Sequence, residues 1–301
     1  MAKLCWKITT GMFIRTFHLL LTMGIFCVLI LKDTELHQAV VDRNFPYLIA
    51  FTTLLTVAGV LYYTTSLMDP GFVPLNEHLK MQDWNKDISS SDDEEEIGVE
   101  GEENTATSES ATMLNTTSNG SLVRLRKCGF CKIKQPVRSK HCEDCSRCVR
   151  KFDHHCPWLE NCVGESNHRF FWLFLLTEST LIVWALKITW SSFVWQHTFT
   201  DWLRVNWLFL LCLLILVSAA IAVVSLLCCH SYMLINNQTT WEFMSRHRIT
   251  YLRNLDDNLN PFDEGYMRNF VKFFCYCPYR QWDDMVAKQK GGEEEGSDNN
   301  V

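Results

Sequence analysis

The sequence has no surplus of basic charge. Its 28 Lys and Arg are outnumbered by 34 Asp and Glu, a formal net charge of −6, so nucleic-acid binding is not implied. Most of the acidic excess sits in one insert and one tail, and net charge therefore says little about partners. Even hydropathy is also missing. With 48% hydrophobic residues, 11 Trp and 19 Phe the chain is rich for a soluble protein, yet its mean hydropathy is −0.03, so apolar blocks must alternate with very polar ones. That pattern suggests a multi-span membrane protein. The first apolar block has no small-residue cleavage site after it and exits at Lys32-Asp33, which favours a retained anchor over a signal peptide. From Ser89 to Asn119 there is almost no large apolar residue, which excludes a core there and predicts a disordered acidic linker.

What is present is set out by length. Met12 to Leu31 and Phe45 to Met68 are each long enough to cross about 30 Å of hydrocarbon as a helix. Phe170 to about Trp190 is a third span, and Trp207 to about Cys229 a fourth, after a short loop holding Asp201 and Arg204. Lys3 and Lys7 precede the first span and Arg15 lies near its start, and the loop Lys32 to Asn44 is short and charge-mixed, so the N-terminus is expected in the cytosol and, after four spans, the C-terminus too. The expected fold is a mainly α membrane protein, four transmembrane helices with a cytosolic Cys-rich double-zinc module between helices 2 and 3. Its segments are 1–68 (tail and helices 1–2), 69–123 (linker), 124–169 (Cys-rich module), 170–230 (helices 3–4) and 231–301 (cytosolic tail, acidic from Gly291 to Val301). Glu178 inside the third span costs about 3 kcal/mol at a bilayer centre, so it should face a partner or water.

Between helices 2 and 3 lies the stretch that organises the chain. Cys128 to Cys162 holds seven of the 14 cysteines and three of the 10 histidines. Offset by 14 residues it repeats itself: Cys128, Cys131, His141 and Cys148 recur as Cys142, Cys145, His155 and Cys162, both copies reading C-x2-C-x9-H-x6-C. A structural zinc takes four thiolate or imidazole ligands, so each copy is a complete site and the ligand count calls for two Zn2+. Left over are His154 and Cys156, preceded by Asp153. A third C-x2-C would begin at Cys156, but its partner position holds Leu159, so the Cys156 sulfur stays free. A free thiol beside a spare imidazole is a nucleophile with a base: His154 takes the proton or pairs with the thiolate, and Asp153 fixes the imidazole's tautomer. Thiols of this kind belong in a reducing compartment, which places the module in the cytosol and predicts that the sequons at Asn115, Asn119 and Asn237 stay unglycosylated.

Asp153-His154-His155-Cys156-Pro157-Trp158, continuing to Asn161-Cys162-Val163-Gly164, resembles the signature of the DHHC family of protein S-acyltransferases, or palmitoyltransferases. Asp69-Pro70-Gly71, Thr239-Thr240-Trp241-Glu242 and an aromatic tail motif around Asn269, Phe270, Phe273 and Phe274 stand where the family has comparable motifs; Phe243 and Ser245-Arg246-His247-Arg248 narrow the resemblance to one branch.

The resemblance implies transfer of a long acyl group, palmitoyl foremost, from acyl-CoA to cytosolic cysteines of membrane-associated proteins, through an acyl-enzyme on Cys156, at the Golgi or endoplasmic reticulum. It implies that Thr-Thr-x-Glu braces the catalytic module. It also implies a CoA phosphate cradle, for which Arg126, Arg138 and Lys140 in the basic run Arg124 to Lys140 are candidates, and an acyl pocket among the spans, for which Trp158, Phe171, Phe174 and Leu181 are. The basic run alone equally suits attraction to anionic lipid. Two other classes remain open on the residues alone: a non-catalytic membrane adaptor using the zinc module for recruitment, and, for Cys228, Cys229, Cys275 and Cys277, either self-acylation or buried, inert thiols. A zinc transporter fails because the ligands lie outside the spans.

Overall fold

The computed structural model describes residues 2–74, 114–116, 122–124, 126–253, 255–256 and 259–275. The chain divides into two compact units: Met1–Met68 with Cys156–Asn161 and Asn167–Met233, and Asp69–His155 with Cys162–Ser166 and Leu234–Val301.

The first unit is helical. α1 (Ala2–Leu31), α3 (Phe45–Leu67), α4 (His168–Ser191) and α5 (Phe199–Ile235) are each long and apolar enough to cross a membrane, and they fit a multi-pass membrane protein. Between α1 and α3 the expected loop contains a short helix, α2 (Glu35–Val41), capped by Thr34, whose hydroxyl accepts from His37 N. α3 starts with Asn44 capping Tyr47 N and with Pro46 in its first turn, and it stops before Asp69-Pro70, as a residue preceding proline leaves the helical region. α5 departs most from expectation. Its 37 residues rise about 56 Å, more than hydrocarbon needs. Asp201 and Arg204, expected in a loop, lie in its first turns, where Thr198 and Asp201 exchange side-chain and backbone hydrogen bonds; apolarity marks the part that crosses lipid, whereas caps mark where the helix begins.

α3 packs along α4. Trp184 Nε1 donates to Tyr47 Oη at 3.0 Å and its ring meets Tyr47 and Phe51 edge-on, while Phe51, Leu181, Ile182, Ile188, Leu29 and Leu216 form the buried core. Phe13, Val60, Leu214 and Ile221 stay exposed, the all-round apolarity of a helix whose solvent is lipid. The Cys156–Asn161 segment is fastened to the C-terminal end of α3: Tyr62 Oη donates to Trp158 O (3.1 Å), Ser66 Oγ to Leu159 O (2.6 Å), and Asn161 Nδ2 to Thr65 O and Met68 O (3.1 and 2.8 Å).

The second unit is built from hairpins too short for a sheet core. β1 (Leu114–Thr116) pairs with β2 (Leu122–Arg124), β3 (Lys127–Cys128) with β4 (Ile133–Lys134), β5 (Lys140–Cys142) with β6 (Arg147–Val149), and β7 (His154–Cys156) with β8 (Asn161–Val163). The linker expected to be disordered lies outside the described residues except at Leu114–Thr116, which are paired rather than unstructured; Asn119, Cys277 and Gly291 to Val301 lie outside them as well. The 14-residue repeat extends into the backbone. β3, β5 and β7 each end on a knuckle cysteine, and Lys132, Ser146 and Glu160 take the same left-handed turn at φ 55, 52 and 50°. Cys156 thus occupies the first position of a third knuckle that never acquired its second cysteine.

Asp69-Pro70-Gly71 is more than a helix stop. Asp69 Oδ1 accepts from Gly71 N and Phe72 N at 2.8 Å, Gly71 O accepts from Arg150 N, and Val73 N donates to Cys148 O, so the segment is laced into the hairpins. Gly164 closes the same region: a Cβ there would lie 2.6 Å from Pro70 O and from Val149 Cγ1, which only glycine avoids. The C-terminal part adds α6 (Thr240–Ser245), a 3-10 turn (Arg246–Arg248) and α7 (Tyr266–Cys275) over a core of Val137, Ile249, Tyr251, Leu252, Leu255 and Phe262.

Candidate active site and metal centres

The two predicted tetrads assemble. The ligand atoms of Cys128, Cys131, His141 and Cys148 lie within 4.8 Å of one another, and so do those of Cys142, Cys145, His155 and Cys162. A tetrahedral zinc, about 2.3 Å from sulfur and about 2.05 Å from nitrogen, separates an S and an N ligand by about 3.6 Å. His155 Nδ1 stands 3.6, 3.5 and 3.6 Å from the sulfurs of Cys142, Cys145 and Cys162. His141 Nδ1 stands 3.3 and 3.9 Å from those of Cys131 and Cys148. Backbone turns aim the knuckles: Cys131 N donates to Cys128 Sγ and Cys145 N to Cys142 Sγ, while Gln135 Nε2 donates to Cys148 Sγ.

The close packing of the second tetrad couples its groups strongly. Hydrogen bonds from Cys145 and Cys162 hold the Cys142 thiol far below its ordinary range, contacts with Cys142 and Cys145 push the Cys162 thiol far up, and the same two cysteines raise His155 to about 10. Three thiols side by side cannot all ionise without a cation between them. Each tetrad can hold a metal ion.

The residues left over are placed as follows. Asp153 is buried, and its carboxylate is fully engaged: Oδ2 accepts from His154 Nδ1 at 2.7 Å and from Thr240 Oγ1 at 2.9 Å, and Oδ1 accepts from Thr240 N at 2.9 Å. Its backbone N donates to Val163 O. The His154 side chain remains 28% exposed, with its Nδ1 committed to Asp153. Strand alternation in β7 puts His154 and Cys156 on one face and His155 on the other, which is why neighbouring histidines serve different sites. Cys156 is buried.

Thr239-Thr240-Trp241-Glu242 supplies the brace. Thr239 and Glu242 form a reciprocal capping box on α6, Thr240 holds Asp153, and Glu242 receives Arg138 in a fork, Nε to Oε1 at 2.7 Å and Nη2 to Oε2 at 2.6 Å. Tyr251 Oη also donates to Glu242 Oε1, and burial raises its phenol well above the ordinary value.

This network corrects one expectation. Arg138, a candidate for the phosphate cradle, is fully buried; besides Glu242 it donates to Asn237 Oδ1 and O, and its guanidinium lies 4.0 Å from the Phe262 ring centroid. A guanidinium so engaged has no face for a phosphate. Lys140 is half-buried, 5.2 and 5.3 Å from the Phe152 and Trp241 ring centroids, and Arg126 is half-buried; burial lowers both below their ordinary values. Asn237 adopts φ 48°, with Oδ1 accepting from Arg138 and Lys151 and Nδ2 donating to Phe262 O, so this sequon residue is buried with its amide engaged.

The acyl-pocket candidates separate. Leu181 lines a cavity of about 890 Å³ among α1, α3 and α4, together with His18, Thr22, Tyr63 and Glu178. Phe174 is buried against Tyr62, whose ring stacks on His18 at 3.9 Å, and Phe171 packs on His230. The Trp158 side chain, expected at the pocket wall, is 71% exposed, because the turn is held to α3 by its backbone carbonyl. Asn269 ties α7 back, donating to Ile235 O and Asp263 Oδ1 and accepting from Glu264 N. Cys228, Cys229 and Cys275 are exposed rather than buried: the first two face outward from an apolar helix, and the third ends α7.

Sequence reasoning missed Arg138 as the partner of Glu242 and Thr240 as the holder of Asp153. The motif position of Thr240 was visible, but a buried ion pair 104 residues apart leaves no mark in a single chain.

Known proteins give the same answer. A sequence model of the DHHC palmitoyltransferase domain matches residues 122–247. The chain is 39% identical to human palmitoyltransferase ZDHHC12, covering 96% of each, and 37% identical to palmitoyltransferase ZDHHC12-A of Danio rerio, covering 93% of this chain and 95% of that one. It is 32% identical to protein S-acyltransferase 10 of Arabidopsis thaliana over 52% of its length and 45% of the relative's. By motif, geometry and near full-length similarity, the chain belongs to the DHHC palmitoyltransferase family.

Proposed function

We infer that the protein is an S-acyltransferase that moves a long acyl group, palmitoyl foremost, from acyl-CoA to cysteines of membrane-associated proteins, with Cys156 as the acyl carrier. The observation that carries this reading is the division of labour along β7: His155 turns to a metal tetrad, while His154, its Nδ1 tied to Asp153, shares a face with a cysteine that no tetrad uses. His154 Nε2 takes the Cys156 proton. The thiolate attacks the thioester carbonyl; the tetrahedral adduct collapses with cleavage of the C–S bond to coenzyme A, and His154 returns the proton to the departing thiolate. A substrate cysteine, deprotonated by the same imidazole, then attacks the Cys156 thioester and leaves with the acyl group. Asp153, fixed by Thr240, holds one tautomer and balances the imidazolium through both halves.

Two zinc ions fit the tetrads and, when bound, contribute folding free energy, since no open ligand position remains for substrate. With Arg138 committed elsewhere, Arg126 and Lys140 are the candidates for the CoA phosphates. The reducing demand of the thiols and the charges at Lys3, Lys7 and Arg15 favour a cytosolic module and cytosolic termini, and the family resemblance alone implies Golgi or endoplasmic-reticulum membranes. No observation favours a non-catalytic adaptor. Purified protein incubated with labelled palmitoyl-CoA is expected to form an adduct released by neutral hydroxylamine and located on Cys156. Label that resists hydroxylamine, or that persists in Cys156→Ser, rules the mechanism out.

A further inference from the structure

The span acid Glu178 has no protein partner among the described residues. It makes no hydrogen bond or ion pair among the described residues, although a polar side chain inside a membrane helix normally pairs or faces water. It lines the cavity of about 890 Å³ described above and also a deeper void of about 50 Å³ among α1, α3, α4 and α5. The two share Thr22, Phe26, Leu55, Glu178 and Leu181, so they adjoin across these side chains, the neck between them, where Glu178 and Leu181 stand one helical turn apart. The large cavity is lined by Tyr63, Thr64, Leu67 and Met68, the end of α3 to which Tyr62 and Ser66 fasten the turn bearing Cys156. Glu178 lies 10 residues into α4, about 15 Å from its start, a depth comparable to a long acyl chain.

We propose that Glu178 is a specificity-determining residue: its carboxyl makes the neck polar, so chains ending short of it are accepted and chains whose last methylenes must pass it are disfavoured. This rests on the transferase reading above, with the acyl chain of the Cys156 thioester as occupant. The physical basis is desolvation. A short chain leaves the carboxyl hydrated by water in the large cavity, whereas a longer one strips that water and offers only methylenes, which cannot hydrogen-bond it. Apolar walls alone would instead reward every added methylene until steric closure at Leu181.

The test is competition for acyl-enzyme formation among lauroyl-, myristoyl-, palmitoyl-, stearoyl- and arachidoyl-CoA, using full-length protein in nanodiscs. Glu178→Leu and Glu178→Gln have similar volumes and differ in polarity. Glu178→Leu is expected to raise the stearoyl-to-myristoyl ratio about tenfold (about 1.4 kcal/mol), and Glu178→Gln to leave the ratio near wild type. An unchanged ratio in Glu178→Leu, or an equal shift in both variants, overturns the polar neck. Metal content and a monodisperse elution profile check folding, and Glu178→Ala, which removes the carboxyl without adding bulk, must shift the ratio the same way as Glu178→Leu. Failure of the wild-type protein to form any hydroxylamine-labile adduct refutes the transferase reading itself and is separate from failure of the ratio to move.

Discussion

The two metal tetrads come from one repeat, yet only the second has a ligand, His155, on the same strand as the proposed reacting groups His154 and Cys156. Each has three sulfurs and one imidazole at the spacing a tetrahedral ion requires. In the first, the segment between His141 and Cys148 is a plain knuckle, Cys142 to Cys145, that serves its neighbour. In the second, the corresponding segment between His155 and Cys162 is Cys156 to Asn161, a knuckle with the same left-handed turn at Glu160 but Leu159 where a metal ligand would stand. The fold therefore holds Cys156, the proposed nucleophile, in a knuckle-like turn that lacks the second cysteine of a metal site. Among the ligand positions the two segments differ at one, Cys145 against Leu159, and Cys156 is left outside both tetrads.

The sharpest way to break that comparison is at Cys156. Cys156→Ser is expected to keep about two zinc ions per chain and lose hydroxylamine-labile acylation completely; zinc loss in this variant would put Cys156 among the ligands. Next come the three histidines. His141→Ala and His155→Ala should each lose one metal and destabilise the module, whereas His154→Ala should keep both and lose activity by a factor of about 10² to 10⁴, the usual worth of a general base. Metal analysis and acylation on the same samples separate these outcomes, and metal loss from His154→Ala with retention in His155→Ala would reverse the assignment.

The brace gives a smaller, purely energetic effect. Arg138→Ala leaves Glu242 buried without its cation and is expected to destabilise the second unit by about 3–5 kcal/mol; Arg138→Lys should recover only part, since an ammonium cannot supply the fork. Thermal unfolding with metal-binding stoichiometry measures this. A loss of CoA affinity at unchanged stability would restore Arg138 to the phosphate site from which its burial removes it.

The pattern of what was legible follows from range. Ligand spacing, strand alternation and apolar runs are local, so both tetrads, the leftover Asp153, His154 and Cys156, and four spans are readable from the chain. α5 outran its apolar core because caps, not hydropathy, end helices. Arg138 misled because a basic run looks like a surface until Glu242, 104 residues away, takes one member inward. Trp158 entered as a pocket-wall candidate through the family resemblance alone; what the structure adds is that α3 holds its backbone carbonyl while its ring is exposed.

Leu181 tests whether the helical unit discriminates by size as well as by polarity. It lies 10 residues beyond Phe171 on α4, a rise of about 15 Å, and it borders both cavities at their junction. Leu181→Trp overfills a packed neck at a cost of about 1–3 kcal/mol, which should shift acyl-enzyme formation toward shorter acyl-CoAs, and Leu181→Ala should relax it toward longer ones. The size effect and the polar effect are separable because Leu181 and Glu178 line the same neck. In the double variant Glu178→Leu/Leu181→Trp, steric closure should prevail and hold the preference short, since a chain that cannot enter the deeper void gains nothing from an apolar wall. A double variant that favours long chains as strongly as Glu178→Leu alone would remove Leu181 from the pocket and leave it a core residue of the α3–α4 packing.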